Sequence, residues 1–124
     1  MSDYNLKNSV AQLCQLIAAG KTLEAMEIFY DEAVEMQEND APPRQGKPYC
    51  IEHEKQNLAG VSSMAARLLR QAIDLEQAVV FSEWEFVFTD HSGQCMQLTE
   101  VSVQQWQAGR VVREKFYYRG LVKI

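Results

Sequence analysis

Near the end of the chain one acid stands among apolar neighbours. From Arg110 to Tyr118 the residues alternate as a strand does: Val112, Glu114, Phe116 and Tyr118 fall on one face, Arg113 and Lys115 on the other. A carboxylate is too costly to bury alone, so Glu114 either lines a cavity or has a buried partner. In an apolar cavity its pKa rises, and the group can serve as acid, base or ligand anchor. The competing reading is a structural carboxylate bonded to an Arg, Tyr or Trp across the sheet, since ion-pair networks perturb carboxylates too. The run Glu52-His53-Glu54-Lys55 carries the second signal. A histidine within reach of a carboxylate can shuttle protons. A solvated helix face explains Glu52 and Lys55 equally well. His53 and His91 are the only histidines and lie far apart, so a metal site has little support. No cofactor is expected.

The elements that must position these groups follow from periodicity. Leu6, Val10, Leu13 and Ile17 form one apolar stripe of a helix over residues 4 to 19, and Gly20 suits its C-terminal end. Thr22 is expected to cap a second helix, with Leu23, Met26, Phe29 and Tyr30 turned inward. Val34, Met36 and Glu38 alternate with Glu35 and Gln37 in a short strand. Pro42, Pro43 and Gly46 mark a loop from Asn39 to Gly46, and Pro48 suits the first turn of a third helix ending near Leu58 or Val61.

The remainder reads as strands. Ala66 to Leu75 is taken as one, although Leu68, Leu69, Ala72 and Ile73 also fit a helix. Ala78 to Thr89 is rich in β-branched and aromatic residues, and Asp90-His91-Ser92-Gly93 is a turn. Gln94 to Trp106 is the next strand. Gln107-Ala108-Gly109 turns it back, with Gly109 able to take a positive φ. Helices first and consecutive strands after give an α+β domain with helices on one side of an antiparallel sheet.

The chain has 124 residues, 47% of them hydrophobic and 23% charged, which suits one globular domain spanning residues 1 to 124. A net charge of −5 disfavours nucleic acid. No run is long and apolar enough for a membrane span, and the polar start has no signal-peptide stretch, so a cytoplasmic location is expected. Cys14, Cys50 and Cys95 are odd in number and far apart, which reads as three reduced thiols.

Four segments together resemble the nuclear-transport-factor-2-like superfamily, in particular its SnoaL-like branch. They are Leu16 to Ala25, Phe29 to Val34, Arg44-Gln45-Gly46, and Trp106 to Glu114. The resemblance covers nearly the whole chain. It implies a strongly curved, cone-shaped sheet wrapped over three N-terminal helices (a cystatin-like arrangement), with a pocket inside and dimerisation through the sheet. Members of the superfamily include ketosteroid isomerases, scytalone dehydratase, limonene epoxide hydrolase and polyketide cyclases, so fold does not give function. The isomerase pattern of a tyrosine, a base and an oxyanion-binding aspartic acid falls on Leu13, Gln37 and Val101, and all three roles are lost. Asp74 and Arg70 offer only part of the Asp-Arg-Asp set of an epoxide hydrolase.

In such a cone, Glu114, Phe116 and Tyr118 face the pocket, and His53 and Glu54 face it from the third helix. Val80, Ser82, Trp84, Phe86 and Phe88 share one strand face, and Gln97, Thr99, Val101 and Val103 share one face of the next; both are expected inward. Trp84, Thr99 and Gln97 would touch a ligand, and Tyr30 and Tyr49 would stand at the rim. The opposite face would then carry Phe81, Val87, Met96, Leu98, Val111 and Tyr117 among charges of both signs, a composition suited to a back-to-back homodimer. Two functions stay open at this level. One is a pocket for a small apolar or amphipathic molecule, with acid–base chemistry by Glu114 or His53. The other is a non-catalytic association domain whose cavity is filled by its own side chains.

Overall fold

The computed structural model describes residues 3–124. Three helices come first: α1 (Asp3–Ala18), α2 (Thr22–Phe29) and, after two strands, α3 (Lys47–Ala59). The strands are β1 (Tyr30–Glu38), β2 (Arg44–Gln45), β3 (Val61–Asp74), β4 (Val79–Asp90), β5 (Cys95–Gln107), β6 (Arg110–Tyr117) and β7 (Val122–Lys123). Among the described residues no helix is long and apolar enough to cross a membrane.

The stripe on α1 is buried as its spacing requires, with Leu6, Val10 and Leu13 in the core. Gly20 then takes a φ of +80°, and the Lys21 amide closes on the Leu16 carbonyl at 2.8 Å. Thr22 is not the cap expected of it. Lys21 occupies the capping position, and the Thr22 hydroxyl is buried without a partner. Helix α2 runs straight into β1, so Tyr30 begins a strand instead of ending a helix. The Asn39 to Gly46 loop contains two residues of strand, Arg44 and Gln45, which pair back onto Met36 and Glu35.

The sheet is curved and unclosed, ordered β2-β1-β6-β5-β4-β3, with β7 beside β5. It is mixed, not purely antiparallel: β1 runs parallel to β6, setting Met36 beside Glu114. A helix and the whole β3–β4–β5 meander separate the two strands, a connection long enough for parallel pairing. The region expected as a strand from Ala66 to Leu75 is one, and it starts earlier, at Val61. Residues Ala108 and Gly109 close the β5–β6 hairpin with φ values of +51° and +79°, both left-handed, as a two-residue type I′ turn requires.

Helices cover the concave side of the sheet. The core lies at one end, where Phe29 and Trp106 meet at 6.1 Å between ring centroids with Val10, Val34, Val80 and Val111 around them. Beside this core a cavity remains between the helices and the sheet.

Candidate functional site

The cavity measures about 370 Å³. Its apolar wall comes from the inward face of β4, where Trp84, Phe86 and Phe88 form a stepped stack with centroids 5.9 and 6.0 Å apart. Met26, Met36, Met64 and Met96, all the methionines of the described residues, line it too. Methionine is unbranched and adaptable, so this wall can fit more than one ligand outline.

Glu114 lies at the base, only 2% exposed. It accepts from the Tyr30 hydroxyl, from Ser102 Oγ at 2.7 Å and from Gln104 Nε2 at 2.8 Å. Gln104 is fixed in turn, because its Oε1 accepts from Trp106 Nε1 at 3.0 Å. Burial pushes the Glu114 carboxyl up, the three donors pull it back, and the balance is a raised pKa. Tyr30 is held well above its usual value by the same burial and by the Glu114 charge.

Glu100 is different. It is 8% exposed, lines the cavity, and has no hydrogen bond or ion pair to any described residue. Burial, then the charges of Glu114, Glu38 and Glu54, raise it to about 8. It therefore holds its proton to much higher pH than an ordinary carboxyl, and it faces the cavity. Across the cavity Glu54 projects from α3, also raised, by burial and by Glu38 and Glu114, with Arg44 acting the other way. Glu38 receives both arms of the Arg44 guanidinium, one of them at 3.1 Å from Nη2 to Oε1. The Arg44 Nε is buried and has no partner.

Of the residues singled out by sequence, Glu114, Glu54, Trp84, Phe116, Tyr118 and Tyr30 line the cavity. Tyr30 is at its base, not its rim, at 3% exposed, whereas Tyr49 is on the surface. His53 does not line the cavity. Its ring Nδ1 sits 3.4 Å from Asn57 Nδ2, and Glu54, Asn57 and Leu58 form the helix face that does line it. Gln97 and Thr99 point outward: Gln97 Nε2 donates to Glu85 at 2.8 Å, and Thr99 is exposed beside the same residue. Arg70 also points outward, to Glu83 at 2.6 Å, while Asp74 caps the turn after β3, so the partial epoxide-hydrolase set is not assembled. His91 is exposed and 2.9 Å from the Ala59 carbonyl. Among the described residues no three His, Cys, Asp or Glu side chains are arranged to hold a metal ion.

Sequence reasoning missed Glu100, Ser102 and Gln104 because it turned β5 inside out. The inward residues are Met96, Leu98, Glu100, Ser102, Gln104 and Trp106. Their polar members read as a solvent face, while Val101 and Val103 on the true outer face read as core. Regular pairing would not have exposed the error, because the two-residue turn sets Val103 opposite Glu114 and only the irregularity in β6 replaces it with Gln104.

No family model matches the sequence. No curated protein matches it either. Solved structures do. An NTF2-like protein of unknown function from Burkholderia pseudomallei superposes with a TM-score of 0.80 at 14% identity, over 96% of this chain and 92% of that one. A protein from Jannaschia sp. CCS1, provisionally assigned as a SnoaL-like polyketide cyclase, gives 0.78 at 10% identity, over 93% and 85% of the two chains. PrhC from Penicillium brasilianum gives 0.79 at 11% identity, over 95% and 83%. Identities this low report architecture and not activity. The curved mixed sheet and the helical cover give this chain the nuclear-transport-factor-2-like fold.

Proposed function

We propose that the cavity binds a small hydrophobic or amphipathic molecule and exchanges protons with it. Glu100 carries this reading: its side chain is largely buried, has no partner among the described residues and opens onto an apolar hollow where a ligand can supply one. In the resting state it holds a proton to give. Glu54, on the opposite wall, is the group placed to take one, and Glu114 sits below, held by three donors. Differing environments for carboxyls in one site are the usual way to separate acid from base. Reactions of the isomerase, cyclase or dehydratase kind need such a pair.

The test is thermal stabilisation by a panel of apolar ketones, carboxylic acids and amines. A binder at a hundred times its dissociation constant adds about 2.7 kcal/mol. Leu98→Trp, which fills the hollow, should abolish the response. If no member of the panel stabilises the protein, the cavity is not a ligand site.

A second reading, association of two copies through the outer sheet face, is favoured by one observation. Phe81, Val101 and Tyr117 are 45%, 36% and 47% exposed, and the pairings Phe81 with Val103 and Val101 with Tyr117 make them one apolar band. Arg67, Arg70, Glu83 and Glu85 flank it with both signs of charge. A band of this kind suits a two-fold, self-complementary contact. Light scattering should give twice the chain mass at micromolar concentration, and Phe81→Glu should return it to monomer. A wild-type monomer would remove this reading.

A further inference from the structure

We infer that the ligand is an organic cation, an ammonium group on an aromatic or otherwise apolar body, with the nitrogen at Glu100 and the body against Trp84, Phe86 and Phe88. The inference rests on the reading of the cavity as a ligand site, not on proton transfer from Glu100 to the ligand, and names the class of ligand.

The first argument is an inventory of charge. The ionisable acids and bases lining the cavity are Glu38, Glu54, Asp90, Glu100 and Glu114 against Arg44 alone. Three of the acids are satisfied within the protein. Glu38 has Arg44, Glu114 has Tyr30, Ser102 and Gln104, and Asp90 accepts from Ser92 and Gln94. Glu100 and Glu54 have no hydrogen-bond or ion-pair partner among the described residues, and Glu100 is more than nine-tenths buried. Both carboxyls open onto the cavity, where a ligand can supply the partner the protein does not. What both lack is a donor with positive charge.

The second argument is geometric. Glu100 pairs directly across the ladder with Trp84, whose ring opens the stepped stack of Phe86 and Phe88. A nitrogen at Glu100 is therefore next to Trp84, the side-chain type best suited to a cation. Anionic ligands are disfavoured, because the one guanidinium is already engaged by Glu38 and the remaining field is negative. A divalent metal is disfavoured by geometry, since the carboxyls do not converge as ligands. A neutral ketone or alcohol could accept from Glu100 but would leave Glu54 unanswered.

The two kinds of ligand differ in proton balance. An ammonium ion arriving from water keeps its own protons. The Glu100 O–H bond breaks, its electron pair stays on the carboxylate, and one proton leaves for solvent per complex formed. Affinity then rises with pH through the titration of Glu100, near 8, in the field of Glu38, Glu54, Glu114, Asp90 and Arg44 and beside Tyr118. A neutral acceptor needs the protonated acid, so its affinity falls over the same range.

Isothermal titration with 1-naphthylmethylamine, 1-naphthylmethanol and 1-naphthoic acid separates the cases, because the three share one ring system. The amine should bind at least about tenfold more tightly than the alcohol above pH 8, and the acid more weakly than either. Its affinity should rise between about pH 6 and pH 8.5, with proton release seen as a dependence of the heat on buffer. In Glu100→Gln the amine should lose about tenfold or more and the proton release should vanish, while the alcohol changes little. Glu54→Gln should weaken the amine as well, which guards against a Glu100 variant that folds poorly. Alcohol binding as tight as amine binding, or amine affinity unchanged in both variants, overturns the cation and leaves the ligand site standing. Binding by none of the three overturns both.

Discussion

Gln104 lies directly opposite Glu114 on the neighbouring strand and donates to its carboxylate at 2.8 Å. That pairing depends on one extra residue. The hairpin closes with Gln107 opposite Arg110, so a regular ladder would set Val103 against Glu114. Instead Trp106 pairs with Val111 and Gln105 with Arg113, leaving Val112 as a bulge. The bulge lets Val111 and Glu114 both face inward, opposite Trp106 and Gln104. Glu100 and Ser102 face the same way because they pair with the inward Trp84 and Ser82 of β4.

The Tyr30 hydroxyl is one of three donors to a carboxylate that is 2% exposed. Tyr30→Phe removes it and leaves the others in place. The expected loss is about 1–3 kcal/mol, the range for a buried hydrogen bond to a charged group. Urea unfolding measures it, and a loss indistinguishable from zero would show that Glu114 does not rely on Tyr30.

Glu100 makes stability fall with rising pH. Its native pKa of about 8 exceeds the ordinary 4.5, so the folded state holds the proton more tightly than the unfolded chain. The favourable contribution is complete below about pH 4.5 and is lost progressively up to pH 8, by an amount on the order of 2–5 kcal/mol. Glu100→Gln should flatten this slope and melt higher than the wild type near pH 8. Parallel slopes in thermal melts from pH 5 to pH 8.5 would refute the assignment.

Arg44 and Glu38 are half-sheltered, with side chains 12% and 25% exposed. Arg44→Met strands the Glu38 charge beside Glu54. Breaking a wholly buried pair is worse, so about 1–3 kcal/mol is expected here. Loss of the guanidinium should also raise the pKa of Glu54 further, since Arg44 is the group lowering it. Adding Glu38→Gln should restore most of the stability, and a double-mutant cycle in guanidinium chloride would reveal additivity if the two residues were not coupled.

Ala108 holds a φ of +51°, a conformation that favours Gly or Asn. Ala108→Asn should therefore stabilise the protein by about 0.5–1 kcal/mol without touching the cavity. A lower melting temperature would mean that the turn is not strained as described.

How far the sequence could be read depends on how local each signal was. The α1 stripe, Gly20 and Pro48 act within a turn or two of helix, and their elements lie within a residue or so of expectation. The inward face of β4 was plain because Val80, Trp84, Phe86 and Phe88 alternate with Glu83 and Glu85. On β6 the inward position of Glu114 was plain for the same reason. The parallel pairing of β1 with β6 leaves no local trace, because nothing in either strand names its neighbour. On β5 both faces are mixed, so alternation had no gradient to follow, and the bulge at Val112 shifted the phase. His53 and Glu54 are adjacent on a helix, and only the packing of α3 decides which one reaches the cavity.

One property of the hollow bears on its durability. Four thioethers line the same space. Peroxide turns such groups into polar, chiral sulfoxides, reversible only by dedicated reductases. Oxidative stress would therefore wet this chamber and spoil its welcome for greasy guests, and through Met26 and Met36, which also belong to the buried core, it would loosen the packing around Val10, Val34 and Val111.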